Sequence, residues 1–164
     1  MNESATVLIV DDDPGIRQAL ELLMASGGFD ARSYASGRAF LAAEKPNGAA
    51  CVLLDLSMPD LNGLEVQRQL QEEDPSLPVI FLTGHGDVTA AVRALKHGAM
   101  DFFQKPDFDH QQLLDTVREA LARHRATLSS GVEQQKLRER IESLSRREFE
   151  VARLASAGYA NKVI

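Results

Sequence analysis

Cysteine is almost absent from this 164-residue chain. Cys51 stands alone, so no disulfide framework supports the fold, and a reducing, cytoplasmic setting is expected. Long apolar runs are missing as well. The longest, Ala49 to Leu54, is far short of the roughly 20 residues that cross a bilayer, and the N-terminus carries Glu3 and no basic n-region. Neither membrane insertion nor secretion is expected. Basic charge is scarce in one part of the chain and abundant in another. Residues 1–117 hold 8 basic and 18 acidic groups, a net −10, whereas residues 118–164 hold 10 and 6, a net +4. An acidic body joined to a basic tail suggests two functional parts, the second able to approach a polyanion. With 44% hydrophobic residues the chain can bury one ordinary domain and a smaller appendage.

The remaining residues are arranged around 50–63. Ala50 to Leu54 are apolar without alternation, the pattern of a strand buried on both faces of a parallel sheet, and Asp55 follows. Packing does not call for a carboxylate there, so it belongs at the strand's carboxyl end, where open parallel sheets place their ligand crevices. Met58-Pro59 and Asn62-Gly63 make a loop beside it. Val7 to Val10 form a first buried strand ending in Asp11, Asp12 and Asp13, and Asp13 with Pro14 opens a helix bearing Ile16, Ala19, Leu20 and Leu23. Phe29 to Tyr34 form a weaker strand, Ser36 to Ala43 a short helix, and Leu64 to Leu70 a third helix. Val79 to Leu82 are a fourth strand, ended by Thr83-Gly84-His85-Gly86, and Val88 to His97 a helix stopped by Gly98. Met100 to Gln104 make a fifth strand before Lys105-Pro106, and Asp109 with Gln112 forms a capping box for a last helix with Leu113, Leu114, Val117 and Leu121.

Alternating strands and helices with right-handed crossovers give an α/β fold, a doubly wound five-stranded parallel sheet. One edge of it then collects Asp11, Asp12, Asp55, Thr83 and Lys105. Three clustered carboxylates repel by about 4 kcal/mol per pair near 4 Å at a surface-like dielectric, and a divalent cation relieves this. With oxygen donors and no His or Cys among them, the ion expected is Mg²⁺ or Mn²⁺. A carboxylate beside such an ion can attack a phosphoryl group, with Lys105 pairing the phosphate and Thr83 bonding it.

Residues 4–125 resemble the receiver domain of two-component response regulators. Val10-Asp11-Asp12, Asp55 with Met58-Pro59 and Gly63, Thr83-Gly84 and Lys105-Pro106 match its motifs in order and spacing. The resemblance implies a flavodoxin-like fold, Asp55 as phosphoacceptor, and Asp12, Asp55 and the Ser57 backbone carbonyl as direct metal ligands. It also implies Asp11 as a ligand through water and a Lys105-Pro106 peptide that is often cis. Asp107 departs from the family pattern, which usually has Phe directly after Lys-Pro, and could shift the start of the last helix. The Thr-Gly-His-Gly-Asp-Val run at 83–88 resembles the nitrogen-fixation regulator subgroup that carries LuxR-type output domains.

The tail is read as a helical linker over 126–143, with Leu137 and Ile141 at helical spacing, after a receiver domain at 1–125. Over 144–164, Ser145-Arg146-Arg147-Glu148 reads as a capping box opening a helix that Gly158 ends, and Asn161 to Ile164 begin another. This resembles the first part of a LuxR-type helix-turn-helix without its recognition helix, so DNA is the expected partner of the complete output domain. The stretch given is not expected to bind DNA with sequence specificity, its net +4 allowing only weak, salt-sensitive attraction to phosphates. The expected function is a response regulator, phosphorylated on Asp55 by a sensor histidine kinase, that controls transcription. Thr83 and Phe102 are the expected switch, although by alternation either Phe102 or Phe103 faces inward. A phosphorylation-dependent homodimer is expected through the helix 88–97 and the fifth strand, with mostly monomer before phosphorylation. Two other readings compete. A Mg²⁺-dependent phosphohydrolase would want an acid two residues after Asp55, where Ser57 stands, and a signalling adaptor without an output domain would not need the basic tail.

Overall fold

The computed structural model describes residues 5–84, 88–105 and 107–159, with side chains up to 142 apart from those of 88, 132 and 133. The order of elements is β1 (Thr6–Val10), α1 (Pro14–Ser26), β2 (Asp30–Tyr34), α2 (Gly37–Ala42), β3 (Ala50–Asp55), α3 (Gly63–Glu73), β4 (Val79–Thr83), α4 (Val88–Lys96), β5 (Asp101–Gln104) and α5 (His110–Tyr159). The strands form one parallel sheet in the order β2-β1-β3-β4-β5. It is a flavodoxin-like arrangement, whose switch point lies between β1 and β3.

Strand alternation divides the core in two. Leu8, Val10, Val52, Leu54 and Phe81 face one side, where Phe40 of α2 and Val66 and Leu70 of α3 cover them. Val7, Ile9, Cys51, Leu53, Ile80 and Leu82 face the other, against Leu20 and Met24 of α1 and Leu113, Val117 and Leu121 of α5. The unbroken apolar runs of β1, β3 and β4 are thus explained by burial on both faces. Phe103 enters the core beneath α1 and α5, while Phe102, half-buried, packs on the opposite side.

Helix starts follow their caps. Asp13 accepts hydrogen bonds from the Gly15 and Ile16 amides, Asn62 from Glu65, and Asp109 from Gln112. Asp107 precedes this last cap and is not part of the helix, which starts at His110. Gly98, at φ 100°, ends α4 in a conformation that side-chain-bearing residues resist.

One expectation fails in the tail. The chain separates into two compact units, Met1–Thr127 and Leu128–Ile164, but the backbone is helical without a break from His110 to Tyr159. No new helix opens at Ser145, and Gly158 lies inside the helix. A capping box permits a helix to start and does not stop one already running, and no proline interrupts residues 110–159. The turn expected around Asn161 and the Lys105-Pro106 peptide, as well as His85 and Gly86, lie outside the described residues.

Candidate functional site

Four of the five strands, β1, β3, β4 and β5, deliver polar groups to the carboxyl edge. Asp11 follows β1 and is fully buried; Asp55, the last residue of β3, is 3% exposed. Asp12 is exposed. Carboxylate oxygens of Asp11, Asp12 and Asp55 lie within 4.8 Å of one another. Lys105 follows β5, and its Nζ lies 2.9 Å from Asp11 Oδ2 and 3.3 Å from Asp55 Oδ1. Its own amide donates to the Thr83 carbonyl at 2.7 Å, which fixes the ends of β4 and β5 together and sets buried Thr83 on the same edge.

The loop after β3 is held just as closely. Ser57 donates its amide to Asp55 Oδ1 at 3.3 Å, and Leu56 donates to the Leu82 carbonyl at 3.1 Å. Gly63 is required by close approach, since a Cβ there would sit 2.5 Å from the Asp55 carbonyl oxygen and 2.9 Å from Phe81. A cleft of about 510 Å³ opens beside this loop, lined by Leu56, Ser57, Met58, Pro59, Asn62 and Leu64, with Ala90 of α4.

Electrostatically the cluster is short of positive charge. Burial and the neighbouring Asp11 carboxylate push Asp55 up to about 6 from 3.8, against the pull of Lys105 and the Ser57 amide. Lys105 is held above its ordinary value by Asp11 and Asp55, which overcome its desolvation. One ammonium therefore does not offset three carboxylates, and a hard divalent cation fits the all-oxygen donor set. Asp11, Asp12, Asp55 and Lys105 are brought together by the fold, with Thr83 beside them. Phe102 is placed elsewhere, on the α4 side of the sheet.

Two residues with local roles give little sign in the sequence. Arg17, one turn into α1, donates to the Asp11 carbonyl at 2.7 Å. His124 of α5, at the opposite end of the sheet, accepts the Ala50 amide on Nδ1 at 2.9 Å. An arginine six residues after an aspartate is a faint signal, and a lone histidine in a helix gives none.

Residues 7–118 match the family model described as the response regulator receiver domain. The chain belongs to the response regulators. Over 163 residues it is 40% identical to the response regulator protein TodT of Pseudomonas putida, covering 99% of this chain and 71% of TodT. It is 38% identical over 164 residues to the transcriptional regulatory protein FixJ of Azorhizobium caulinodans, covering all of this chain and 77% of FixJ. Among solved structures, the response regulator StyR superposes with a TM-score of 0.83 at 35% identity, covering 95% of this chain and 78% of StyR. The chain thus has a response regulator protein and a transcriptional regulatory protein as relatives along its whole length, tail included.

Proposed function

We propose that this receiver accepts a phosphoryl group on Asp55 from a sensor histidine kinase, and that the change is passed to a DNA-binding output through dimerisation. The observation that carries the reading is the buried Asp55 carboxylate, paired with Lys105, within 4.8 Å of two further carboxylates. An Asp55 oxygen attacks the phosphorus of a phosphohistidine, the P–N bond breaks, and the histidine leaves with the electron pair and takes up a proton. Asp12, Asp55 and the Ser57 carbonyl would hold Mg²⁺ or Mn²⁺ directly and Asp11 through water; when bound, the ion neutralises charge on the transferring oxygens. Lys105, already within reach of Asp55, pairs with the incoming phosphoryl group. Asp11 keeps Lys105 in place.

Thr83, at the end of β4, then turns its hydroxyl to the new phosphoryl oxygens, and Phe102, half-buried, moves into the vacated space. Phe102 is half-buried and so has more room to change packing than Phe103, which is buried in the core on the opposite side of the sheet. Val92 and Leu95 are exposed apolar residues on α4, next to β5, and they supply the centre of a two-fold interface whose register Arg93, Lys96 and Asp101 set. Residues 1–125 serve as receiver, 126–143 as linker and 144–164 as the start of the helix-turn-helix. DNA recognition belongs to the complete output domain.

The receiver assists its own phosphorylation and loss of phosphate and is not a turnover enzyme. Exposed Ser57 stands where a phosphohydrolase of this design would keep its general acid. The test is incubation with a phosphorylated kinase or acetyl phosphate, with and without a chelator. Labelling that needs the metal and is lost in Asp55→Asn is expected. Equal labelling of the parent and Asp55→Asn would refute the reading.

A further inference from the structure

We infer that Arg17 is a positioning residue of the phosphoacceptor site, holding Asp12 in place for the metal through the backbone. The inference rests on the reading of the cluster as a divalent-cation site. Asp12 is the one acid of the three that is open to solvent, and its carboxylate has no hydrogen-bond or ion-pair partner among the described residues. What the fold controls is therefore the direction in which its Cα–Cβ bond leaves the chain, through the two peptide planes that flank it. Because a peptide unit is planar, a hydrogen bond to one polar atom of the unit on each side of a residue restricts the directions in which that residue's Cα–Cβ bond can leave the chain.

Both planes are held, and each by a different device. The plane after Asp12 is fixed by the Asp13 amide, which donates to Asp11 Oδ1 at 2.9 Å. The plane before it is fixed at the Asp11 carbonyl, which lies past the end of β1 and accepts from Arg17 at 2.7 Å. Asp11 itself is fully engaged. Its amide donates to the Tyr34 carbonyl at 3.2 Å, its Oδ2 meets Lys105, its Oδ1 meets Asp13, and its carbonyl meets Arg17. Of these four bonds only the one from Arg17 comes from a side chain outside the acid cluster and its lysine. Pro14 at the start of α1, with Asp13 capping the same turn, makes the base from which Arg17 reaches back rigid.

A simpler role would be to satisfy a buried carbonyl that the sheet leaves without a partner. The two roles separate by measurement. Satisfying a carbonyl affects the stability of the fold, whereas orienting Asp12 affects metal affinity, and loss of a group that orients metal ligands typically costs about 10–100-fold in affinity. Lysine in place of Arg17 offers the carbonyl a donor without the planar fork that fixes its direction, so it should keep part of the effect.

The experiment is Mn²⁺ titration followed by electron paramagnetic resonance on the full chain, for the parent, Arg17→Met and Arg17→Lys, with metal-free thermal melts of each. His124→Leu is the control, because it leaves the Ala50 amide at the far end of the sheet without an acceptor. Arg17→Met should weaken Mn²⁺ binding by about tenfold or more. Arg17→Lys should fall between it and the parent, and His124→Leu should melt lower yet bind Mn²⁺ like the parent. Initial phosphorylation rates of Arg17→Met should recover at saturating metal. If Arg17→Met binds Mn²⁺ as tightly as the parent, the residue serves only the carbonyl and the inference is overturned. Should Arg17→Met fail to fold, Arg17→Lys decides: severalfold weaker binding supports the inference and parental binding overturns it. A parent that binds no Mn²⁺ overturns the metal-site reading as well, whereas a binding parent with unaffected Arg17 variants overturns the inference alone.

Discussion

The two ends of the sheet solve the same problem in opposite ways. At both, buried strands run out of backbone partners and polar groups must be satisfied away from water. At the amino end a neutral group does this: His124, 4% exposed, accepts the Ala50 amide, and burial holds the imidazole below its ordinary value, against the pull of Asp74. At the carboxyl end charges are gathered with too few counter-charges, and Asp55 is pushed up to about 6. The first end pairs a backbone amide, although His124 Nε2 is left buried without a hydrogen-bond partner among the described residues. The second gives up stability for a poised carboxylate, which is what strain concentrated at functional sites looks like in electrostatic form.

The comparison breaks most visibly at Asp55. Asp55→Asn should abolish phosphorylation and, in metal-free protein at pH 7–8, stabilise the fold by about 2–3 kcal/mol, since each unit of pKa shift is about 1.4 kcal/mol. The sign follows from the shift. A carboxyl group whose folded value is raised favours the protonated folded state, so its contribution is full below about 3.8 and is lost as pH rises through about 6. The stability difference between Asp55→Asn and the parent should therefore open across that window in denaturant melts, and a difference that is flat with pH would count against the strained carboxylate.

Next in size is the division between the two adjacent acids. Asp12→Ala should weaken Mn²⁺ binding by about 10-fold or more, and Asp11→Ala by less, because Asp11 is already committed to Lys105 and Asp13. The opposite ranking in a titration would exchange their roles. Thr83→Ala should still take up the phosphoryl group, but loss of one hydrogen bond to a charged acceptor, about 1.5–3 kcal/mol, should weaken donor-dependent dimerisation roughly tenfold or more in sedimentation. Dimerisation at the parental level would remove Thr83 from the switch.

The amino end gives the smallest functional effect. His124→Leu should cost about 1–3 kcal/mol through the orphaned Ala50 amide and leave phosphorylation rates unchanged. In the parent, the stability that His124 contributes is present above pH 6.5 and is lost as pH falls through its lowered folded value, opposite in direction to Asp55. A phosphorylation defect in His124→Leu would mean that the two ends are coupled.

Much of the carboxyl end could be read before any coordinates, because the polar residues there interrupt buried runs. Val7–Val10, Ala50–Leu54 and Val79–Leu82 announce strands covered on both faces, and an acid or hydroxyl at the end of each has no packing reason to be there. The amino end was not legible in this way. His124 continues the buried stripe of Val117, Ala120 and Leu121, but its partner is a backbone amide 74 residues away, which no local pattern encodes. Arg17 is similar, since its acceptor is a main-chain carbonyl and carries no residue identity. Alternation left Phe102 and Phe103 open until the register with Phe81 and Leu82 placed them on opposite faces. The helix start expected at Ser145 does not occur in α5 because its capping residues are good helix starters that a helix already under way simply includes.

The most direct test of the account is to locate the phosphoryl group. After exposure to a phosphodonor and Mg²⁺, the acyl phosphate is reduced with borohydride, which converts only a phosphorylated carboxyl group to its alcohol, and the chain is mapped by peptide mass spectrometry. The account predicts a single converted residue, Asp55, that disappears when the metal is chelated. Conversion at Asp11 or Asp12, or stable phosphate on Ser57 with Asp55 intact, would contradict it.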